Sequence, residues 1–298
     1  MATLYTHQSS NVAKTWFLMV GFLAVIVLLG YFASVYYNDS SLIFIALVFS
    51  IVMNIGSYWF SDKVALAVSR AVAIDPVNNP DHMELKRVVD NLAITAGLPS
   101  PRVYIINDDA PNAFATGRNK NHAAIAVTTG LLSRLDRAEL EGVLAHEMAH
   151  IGNKDILIAT VVVILVGLVS LFADIFLRSR LFGGGNREGN GNNILAIVGI
   201  AFIVLSPILA VILQLAISRR REFLADATGA LITRYPEGLA NALRKISSYD
   251  HPMEHASNAT AHMYISNPFG AKAKKGLSAL FMTHPHVEDR IKALVGER

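Results

Sequence analysis

The sequence HEMAH, from His146 to His150, places two histidines and a glutamate within a few consecutive residues. Residues four apart lie on the same face of an α-helix, so His146 and His150 can present two imidazoles to one metal ion. Glu147 lies one step further round the helix, where its carboxylate can accept a proton from a water molecule at the remaining coordination position. This spacing predicts a catalytic zinc site that hydrolyses peptide bonds.

A catalytic zinc ion needs a third protein ligand besides the two histidines. The chain contains no cysteine, so the third ligand must be a histidine or a carboxylate, and no disulfide is available. The best candidate is Glu222 in the sequence REFLADATGA, because Asp226 lies one helical turn further on and can hold a ligand imidazole through its free N–H. We therefore predict one zinc ion per chain.

The composition indicates a membrane protein. Hydrophobic residues make up 53% of the 298 residues and charged residues only 16%, which is too apolar for a soluble domain of this length. A helix needs about 20 apolar residues to cross a hydrocarbon core that is about 30 Å thick. Four stretches reach that length, at residues 16–37, 42–60, 156–177 and 194–217. The first two are joined by the short turn NDSS and predict a transmembrane hairpin.

Lysines and arginines beside these stretches indicate the orientation in the membrane. Lys14, Lys63, Arg70 and Lys154 border one side, which favours the cytoplasm, although three arginines between the third and fourth stretches argue mildly the other way. On balance we expect both termini and both polar regions in the cytoplasm. The net charge is only +3 and the basic residues cluster beside the apolar stretches, so we expect the lipid bilayer as a partner and no nucleic acid.

The four stretches divide the chain into four parts. We expect an N-terminal transmembrane hairpin at residues 1–60 and a second transmembrane hairpin at residues 156–217. Residues 61–155 and 218–298 are expected to form the first and second parts of one zinc protease domain.

Local patterns predict the elements of that domain. Residues 78–101 read as an amphipathic helix, and the runs RVYII, NAFAT and AAIAVTT suggest a small antiparallel sheet. The next helix is expected to begin at Ser133 and to continue through HEMAH into the third apolar stretch, which would hold the zinc at the level of the lipid head groups. RREFLADATGALI and PEGLANALRKISSY read as two further helices. The expected fold class is an α+β membrane protein with four transmembrane helices and a mainly helical cytosolic domain with a small antiparallel sheet.

Four motifs, PNAFATG, HEMAH, EFLAD and THPHVEDRIKAL, follow one another along the chain. Together they resemble the HtpX-type membrane zinc metalloproteases, which belong to the gluzincin class and are related to the CAAX prenyl endopeptidases. The resemblance runs from the first hairpin to the last helix, so it covers nearly the whole chain. It implies that His146, His150 and Glu222 bind zinc and that Glu147 acts as the general base. Asp226 would accept a hydrogen bond from a ligand imidazole.

The resemblance also implies residues that bind the substrate. Asn112 and Ala113 would lie on an edge strand that pairs with an extended peptide backbone. His284 would be a catalytic residue that, with Arg290, faces the oxyanion developing on the scissile carbonyl. The remaining histidines, among them His262, fit no such site and are expected at the surface.

We therefore expect a multi-pass zinc endopeptidase of the bacterial cytoplasmic (inner) membrane, with its active site on the cytosolic side. By resemblance, its substrates would be misfolded or damaged membrane proteins, as in quality control. An alternative is a processing protease for specific lipidated or membrane-bound substrates. A non-catalytic zinc-binding membrane scaffold is a third possibility, although it predicts loss of the base that Glu147 supplies. Cleavage within the membrane is disfavoured because charged residues flank HEMAH on both sides.

Overall fold

The computed structural model describes residues 4–167, 219–270 and 285–296. Over these ranges the protein is mainly helical with one small sheet. The helices are α1 (Leu4–Tyr37), α2 (Ser41–Val68), α3 (Pro80–Ala96), α4 (Thr129–Arg134), α5 (Arg137–Gly152), α6 (Asp155–Gly167), α7 (Arg219–Thr233), α8 (Pro236–Ser247) and α9 (Val287–Val295). The strands are β1 (Val72–Ala73), β2 (Arg102–Ile106), β3 (Ala113–Gly117) and β4 (Ala123–Thr128). Short 3-10 helices lie at Lys120–His122 and Ala261–Met263.

Helices α1 and α2 pack against each other and contain the first two predicted membrane stretches. Both are long and apolar enough to cross a membrane, with mean hydropathies of 2.5 over Asn11–Val35 and 2.0 over Ser41–Val68. The part of the chain that the structure describes holds two such helices, or three if the bent pair α5 and α6 forms one span. The predicted third stretch is described only as far as Gly167, and the predicted fourth, at residues 194–217, lies outside the described residues.

The four strands form one mixed sheet in the order β1-β2-β4-β3. Strand β2 runs parallel to β4, whereas β3 pairs with β4 and β1 pairs with β2 in antiparallel fashion. The three β-rich runs of the sequence are strands β2, β3 and β4, but the prediction of an antiparallel sheet is wrong. The chain does not form a simple meander, because β4 is inserted between β2 and β3. All six residues of β4 are buried, which suits a strand with a neighbour on each side.

Alternate residues of β4 contact two different hydrophobic cores. Ile125 and Val127 belong to a cluster with α3, α5 and α8, whereas Ala124 and Ala126 belong to a cluster with α1, α2 and α6. Successive side chains of a strand point to opposite faces, so the sheet lies between the two sets of helices. Strand β3, at one edge of the sheet, contacts α5, the helix that carries HEMAH.

Helix α5 begins after the N-cap residue Asp136, and not at Ser133 as predicted. The Asp136 side chain accepts a hydrogen bond from the backbone N–H of Glu139, and the Glu139 carboxylate accepts one from the backbone N–H of Asp136, each at 2.9 Å. This reciprocal capping box satisfies two N–H groups at the start of the helix, so it fixes the start of the helix that carries HEMAH. Ser133 lies in the preceding short helix, α4.

Helix α5 ends at Gly152, and α6 leaves at an angle of 86° after a short break. Lys154 has a φ of 59° within this break, which is the left-handed conformation that ends a helix. The prediction that the HEMAH helix continues into the membrane is therefore wrong. Gly152 and Asn153 supply the kind of stop signal that commonly ends a helix. The position of the zinc at head-group level was inferred from this continuous helix and from the five residues between Ile217 and Glu222. The first basis is lost, and the second begins outside the described residues.

Candidate active site

Helices α5 and α7 bring together three side chains that can bind a metal. His146 and His150 lie on one face of α5, and Glu222 lies in the first turn of α7. The helices approach closely because Gly229 of α7 has no side chain: a Cβ at this position would lie 3.0 Å from the backbone nitrogen of His146. His146 and Glu222 are buried and His150 is partly buried, so a bound ion would be largely removed from solvent.

The distances between these side chains fit a zinc ion. The Nε2 atoms of His146 and His150 are 3.1 Å apart. Nε2 of His146 lies 3.8 Å from Oε2 of Glu222, and Nε2 of His150 lies 3.7 Å from Oε1 of the same carboxylate. Ligands at about 2.0–2.1 Å from one tetrahedral zinc ion are about 3.3 Å from each other. Small adjustments therefore bring the two nitrogens and one oxygen into coordination and leave a fourth position for water or substrate.

Each imidazole is held through its other nitrogen by a carboxylate. Nδ1 of His146 donates to Oδ1 of Asp226 at 2.9 Å, and Nδ1 of His150 donates to Oδ2 of Asp155 at 3.0 Å. These bonds keep the proton on Nδ1 and leave Nε2 to coordinate a metal. The sequence predicted such a bond for Asp226, and the structure shows the same kind of bond for Asp155.

Arg290 of α9 is fully buried behind Asp226. Its Nε and Nη2 atoms donate to the two oxygens of Asp226 at 2.8 and 2.6 Å, and Nη1 lies 3.4 Å from the backbone oxygen of Ile265. Burial alone would raise the pKa of Asp226, but Arg290 and the hydrogen bond from His146 lower it below its ordinary value. The structure thus places Arg290 against Asp226, the carboxylate that binds His146. The resemblance had implied that Arg290 faces the oxyanion.

Glu147 is almost completely buried beside the metal-binding group. The backbone N–H of Ala115 in β3 lies close enough to lower the pKa of this carboxylate. Burial raises the pKa of Glu147 to about 7, although His150 and Ala115 act in the opposite direction. A carboxyl group with such a pKa can accept and release a proton near neutral pH, as a general base and acid requires.

The surroundings shift the two imidazoles in opposite directions. Burial lowers the pKa of His146 to about 4, although its hydrogen bond to Asp226 acts in the opposite direction. Burial acts in the same direction on His150, but Asp155 and Glu222 outweigh it and raise the pKa of His150 to about 9. A protonated His150 can donate its Nε2 proton to the neutral His146 across the 3.1 Å between them. A metal ion must replace this proton, so metal binding releases it.

The outer edge of β3 near Asn112 and Ala113 is occupied by the chain itself. The backbone N–H of Ile265 donates to the carbonyl oxygen of Ala113 at 3.0 Å. The Asn112 carboxamide donates to the backbone oxygen of Ser266 at 3.0 Å and accepts from its N–H at 3.2 Å. β3 is an edge strand, as the resemblance implied, but residues 265–266 occupy the positions that a substrate backbone would use.

A cavity opens at the metal-binding group. His262, expected at the surface, lines this cavity, is 5% exposed and contacts the backbone oxygen of Ala159 through Nε2 at 2.9 Å. The expectation fails because Ala261 to Ile265 form a buried apolar run against β3 and α6, a signal present in the sequence AHMYI. His284 lies outside the described residues. The cavity is lined by Ala115, His146, Glu147, His150, Asp155, Ile156, Ala159, Arg221, Glu222, His262, Met263 and Ile265.

Comparison with known proteins finds close relatives. Residues 80–298 match the family described as Peptidase family M48. A protein named "Protease HtpX homolog" from Caldanaerobacter subterraneus subsp. tengcongensis is 48% identical over 299 aligned residues, which cover 98% of this chain and 97% of the relative. Proteins of the same name from Thermoanaerobacter pseudethanolicus and Tropheryma whipplei are 46% and 44% identical, each again over 98% of this chain and 97% of the relative.

Among solved structures, the crystal structure of S. mikatae Ste24p is similar to this chain at a TM-score of 0.49 and 18% identity. The alignment covers 97% of this chain and 67% of that protein. A likeness of this degree adds nothing to the assignment of the site.

Proposed function

Since this chain belongs to peptidase family M48 and is a membrane metalloprotease, we propose that it is a zinc endopeptidase that cleaves misfolded or damaged membrane proteins. We further propose that it works in the bacterial inner membrane, with the active site on the cytosolic side. The observation that carries the proposal is the convergence of His146, His150 and Glu222 around one point, next to the buried carboxylate of Glu147.

Glu147 is the proposed general base. Its position in the same cavity as the three ligands allows it to take a proton from the attacking water and to pass that proton to the leaving amine. A zinc ion, when bound, lowers the pKa of the attacking water and polarises the substrate carbonyl.

The proposed substrate-binding groups are the Asn112 side chain and the backbone of Ala113. An extended peptide pairs with the edge of β3 by backbone hydrogen bonds, which are independent of its side chains and therefore suit unrelated sequences. In the present arrangement the N–H groups of Ile265 and Ser266 bind these two acceptors, so the substrate must displace them. His284 is proposed to donate a hydrogen bond to the oxyanion. For Arg290 the observed contacts favour support of Asp226 and His146.

The two polar parts of the chain, residues 61–155 and 218–298, are proposed to form one protease domain. Helix α5 of the first part packs on α7 and α8 of the second, and α9 packs on both. Residues 1–60 are the proposed N-terminal membrane hairpin and residues 156–217 the second one. The basic residues that border the first hairpin support a cytosolic location of the domain.

The central experiment measures cleavage of an unfolded reporter protein by the purified chain in detergent, with and without zinc. Glu147→Gln keeps the metal ligands and removes the proton acceptor, so we expect normal zinc content and a loss of rate of about 10²- to 10⁴-fold. Glu141→Gln on the exposed side of the same helix is the matched control and should retain full activity. Full activity of Glu147→Gln would remove this residue from the mechanism.

The substrate class is tested in sealed vesicles. One membrane protein is reconstituted with the protease in folded and in destabilised form, with its loops on either face. Quality control predicts faster cleavage of the destabilised form, confined to the cytosolic face. A processing protease would instead cut the folded protein at one site, and a scaffold would bind zinc without cutting either form.

A further inference from the structure

A polar side chain of the first membrane helix contacts the carboxylate that holds His150. Asn11 lies in α1, at the start of the apolar segment Asn11–Val35, and is only 4% exposed. Its Nδ2 atom donates to Oδ1 of Asp155 at 2.6 Å and lies 3.3 Å from the backbone oxygen of Asn153. The two contacts tie α1 to the break between α5 and α6.

The carboxylate that Asn11 contacts is the one that holds His150. Asp155 accepts from Asn11 on Oδ1 and from Nδ1 of His150 on Oδ2. Both oxygens of the carboxylate are thereby bound, and Asn11 of α1 helps to set the plane of the group and the direction of its bond to the imidazole. A relay of two hydrogen bonds runs from the membrane helix to a proposed metal ligand.

The local backbone explains why this support is needed. Asp155 is the first residue of α6 and follows Lys154, whose φ of 59° is a backbone conformation unfavourable for residues other than glycine. Nothing in the helical hydrogen bonding of α5 therefore fixes the direction in which the Asp155 side chain points. Asn11 contacts both sides of Lys154, through the Asn153 oxygen before it and the Asp155 carboxylate after it.

We propose that Asn11 is a positioning residue of the metal site, which orients His150 through Asp155 and so makes α1 part of the assembly of the site. The inference rests on the proposed role of His150 as a metal ligand. Carboxylates that orient ligand histidines typically contribute about 10- to 100-fold to metal affinity or activity. A residue that fixes such a carboxylate acts through the same bond and is subject to the same upper limit.

A merely structural role of Asn11 predicts a different result. If the carboxamide only satisfies buried polar groups where α1 packs, its removal lowers stability and leaves metal binding by the folded protein unchanged. Thr15 provides the comparison, because it is 2% exposed, lies one turn further along α1, and its hydroxyl donates to the backbone oxygen of Asn11. Thr15→Val perturbs the same buried face without removing the bond to Asp155.

The experiment measures Co²⁺ binding to the full chain in detergent, by competition with a chelator and by the visible absorption spectrum of the bound ion. For Asn11→Ala we expect roughly 10- to 100-fold weaker binding and a changed spectrum, whereas Thr15→Val should match the wild type. In an Asp155→Ala background, Asn11→Ala should cause no further loss, because both changes break the same relay. Unchanged affinity and spectrum for folded Asn11→Ala, or additive losses, would overturn the proposal.

Two further variants keep the test decisive if Asn11→Ala does not fold. Asn11→Asp keeps the size of the side chain but opposes one carboxylate with another, so binding should weaken at least as much. The double variant Asn11→Asp/Asp155→Asn restores the hydrogen bond with donor and acceptor exchanged, and it should regain part of the lost affinity. No regain would contradict positioning. If His150→Ala binds Co²⁺ like the wild type, the proposed function itself fails; if only the Asn11 variants do, the failure is confined to this inference.

Discussion

Arg290→Met removes the buried positive charge behind Asp226 while keeping a long apolar side chain. The Arg290 guanidinium contacts both oxygens of Asp226, and both residues are almost completely buried. The Asp226 carboxylate would therefore remain as a buried charge without its cationic partner. Among the contacts described for Asp226, only the hydrogen bond from His146 would remain.

The magnitude follows from this burial. Breaking a buried ion pair by removing one partner typically costs about 3–5 kcal/mol, and solvent screening does not reduce this value because neither group is exposed. Folded domains are stable by only about 5–15 kcal/mol, so the loss is a large fraction of the total. At about 2–4 °C per kcal/mol for a chain of this size class, we expect Tm to fall by roughly 6–20 °C.

The assay is thermal unfolding of the metal-free protein in detergent. Arg137→Met is the control, because Arg137 is exposed and pairs with exposed carboxylates, which typically contributes less than about 1 kcal/mol. The double variant Arg290→Met/Asp226→Asn should recover part of the loss, since no buried charge remains.

The pH dependence of the stability loss in Arg290→Met gives an independent check of this explanation. In the wild type the pKa of Asp226 is lower in the folded protein than in the unfolded chain. The ionised carboxylate therefore stabilises the fold above its unfolded pKa, and this stabilisation is lost as the pH falls through its folded pKa. In Arg290→Met burial prevails and raises the pKa of Asp226. Protonation then relieves the buried charge, and the loss of stability should be smaller at pH 5 than at pH 8. A Tm equal to that of Arg137→Met, or a loss that grows in acid, would refute the reasoning.

Three further outcomes are expected. Glu222→Ala leaves two imidazoles in a site that needs three protein ligands, so zinc titration should show loss of tight binding together with loss of cleavage; stoichiometric tight zinc would identify the wrong carboxylate. Gly229→Ala places a Cβ against the backbone of His146, so it should cost about 1–3 kcal/mol of stability and weaken metal binding, and an unchanged Tm would contradict this close packing. Ser266→Pro removes the backbone N–H that donates to Asn112, a hydrogen bond that typically contributes about 0.5–1.5 kcal/mol. The substrate then displaces one bond fewer, so KM for an extended peptide should fall roughly 2- to 12-fold. An unchanged KM would show that residues 265–266 do not compete with the substrate.

Much of the site could be anticipated because it depends on local helical geometry. The spacing of His146 and His150 fixes their common face on α5, and the spacing of Glu222 and Asp226 does the same on α7. Both pairs needed only the 3.6-residue repeat to be placed correctly relative to each other. The same holds for α3, whose N-cap Asn79 and left-handed Gly97 mark its two ends in the sequence.

What could not be anticipated depends on contacts between distant parts of the chain. β2 runs parallel to β4 because β4 lies between β2 and β3 in the sheet. No local sequence pattern predicts this strand order. The bond from Asn11 to Asp155 joins residues that are 144 positions apart. The break at Lys154 was not predicted, because the apolar stretch that follows it favours a continuous helix despite the stop signal at Gly152 and Asn153.

The edge of β3 bears on how a protease can coexist with unfolded chains without aggregating. An exposed edge strand offers unpaired N–H and C=O groups to any extended polypeptide, and it can start intermolecular sheet growth. Here the Ala113 carbonyl is bound by Ile265 and the Gly117 N–H by Thr160. Two segments of the chain thus occupy separate positions along the edge. If the substrate binds at this edge as proposed, it can pair over only a few residues, which would hold a segment for cutting without starting a growing sheet.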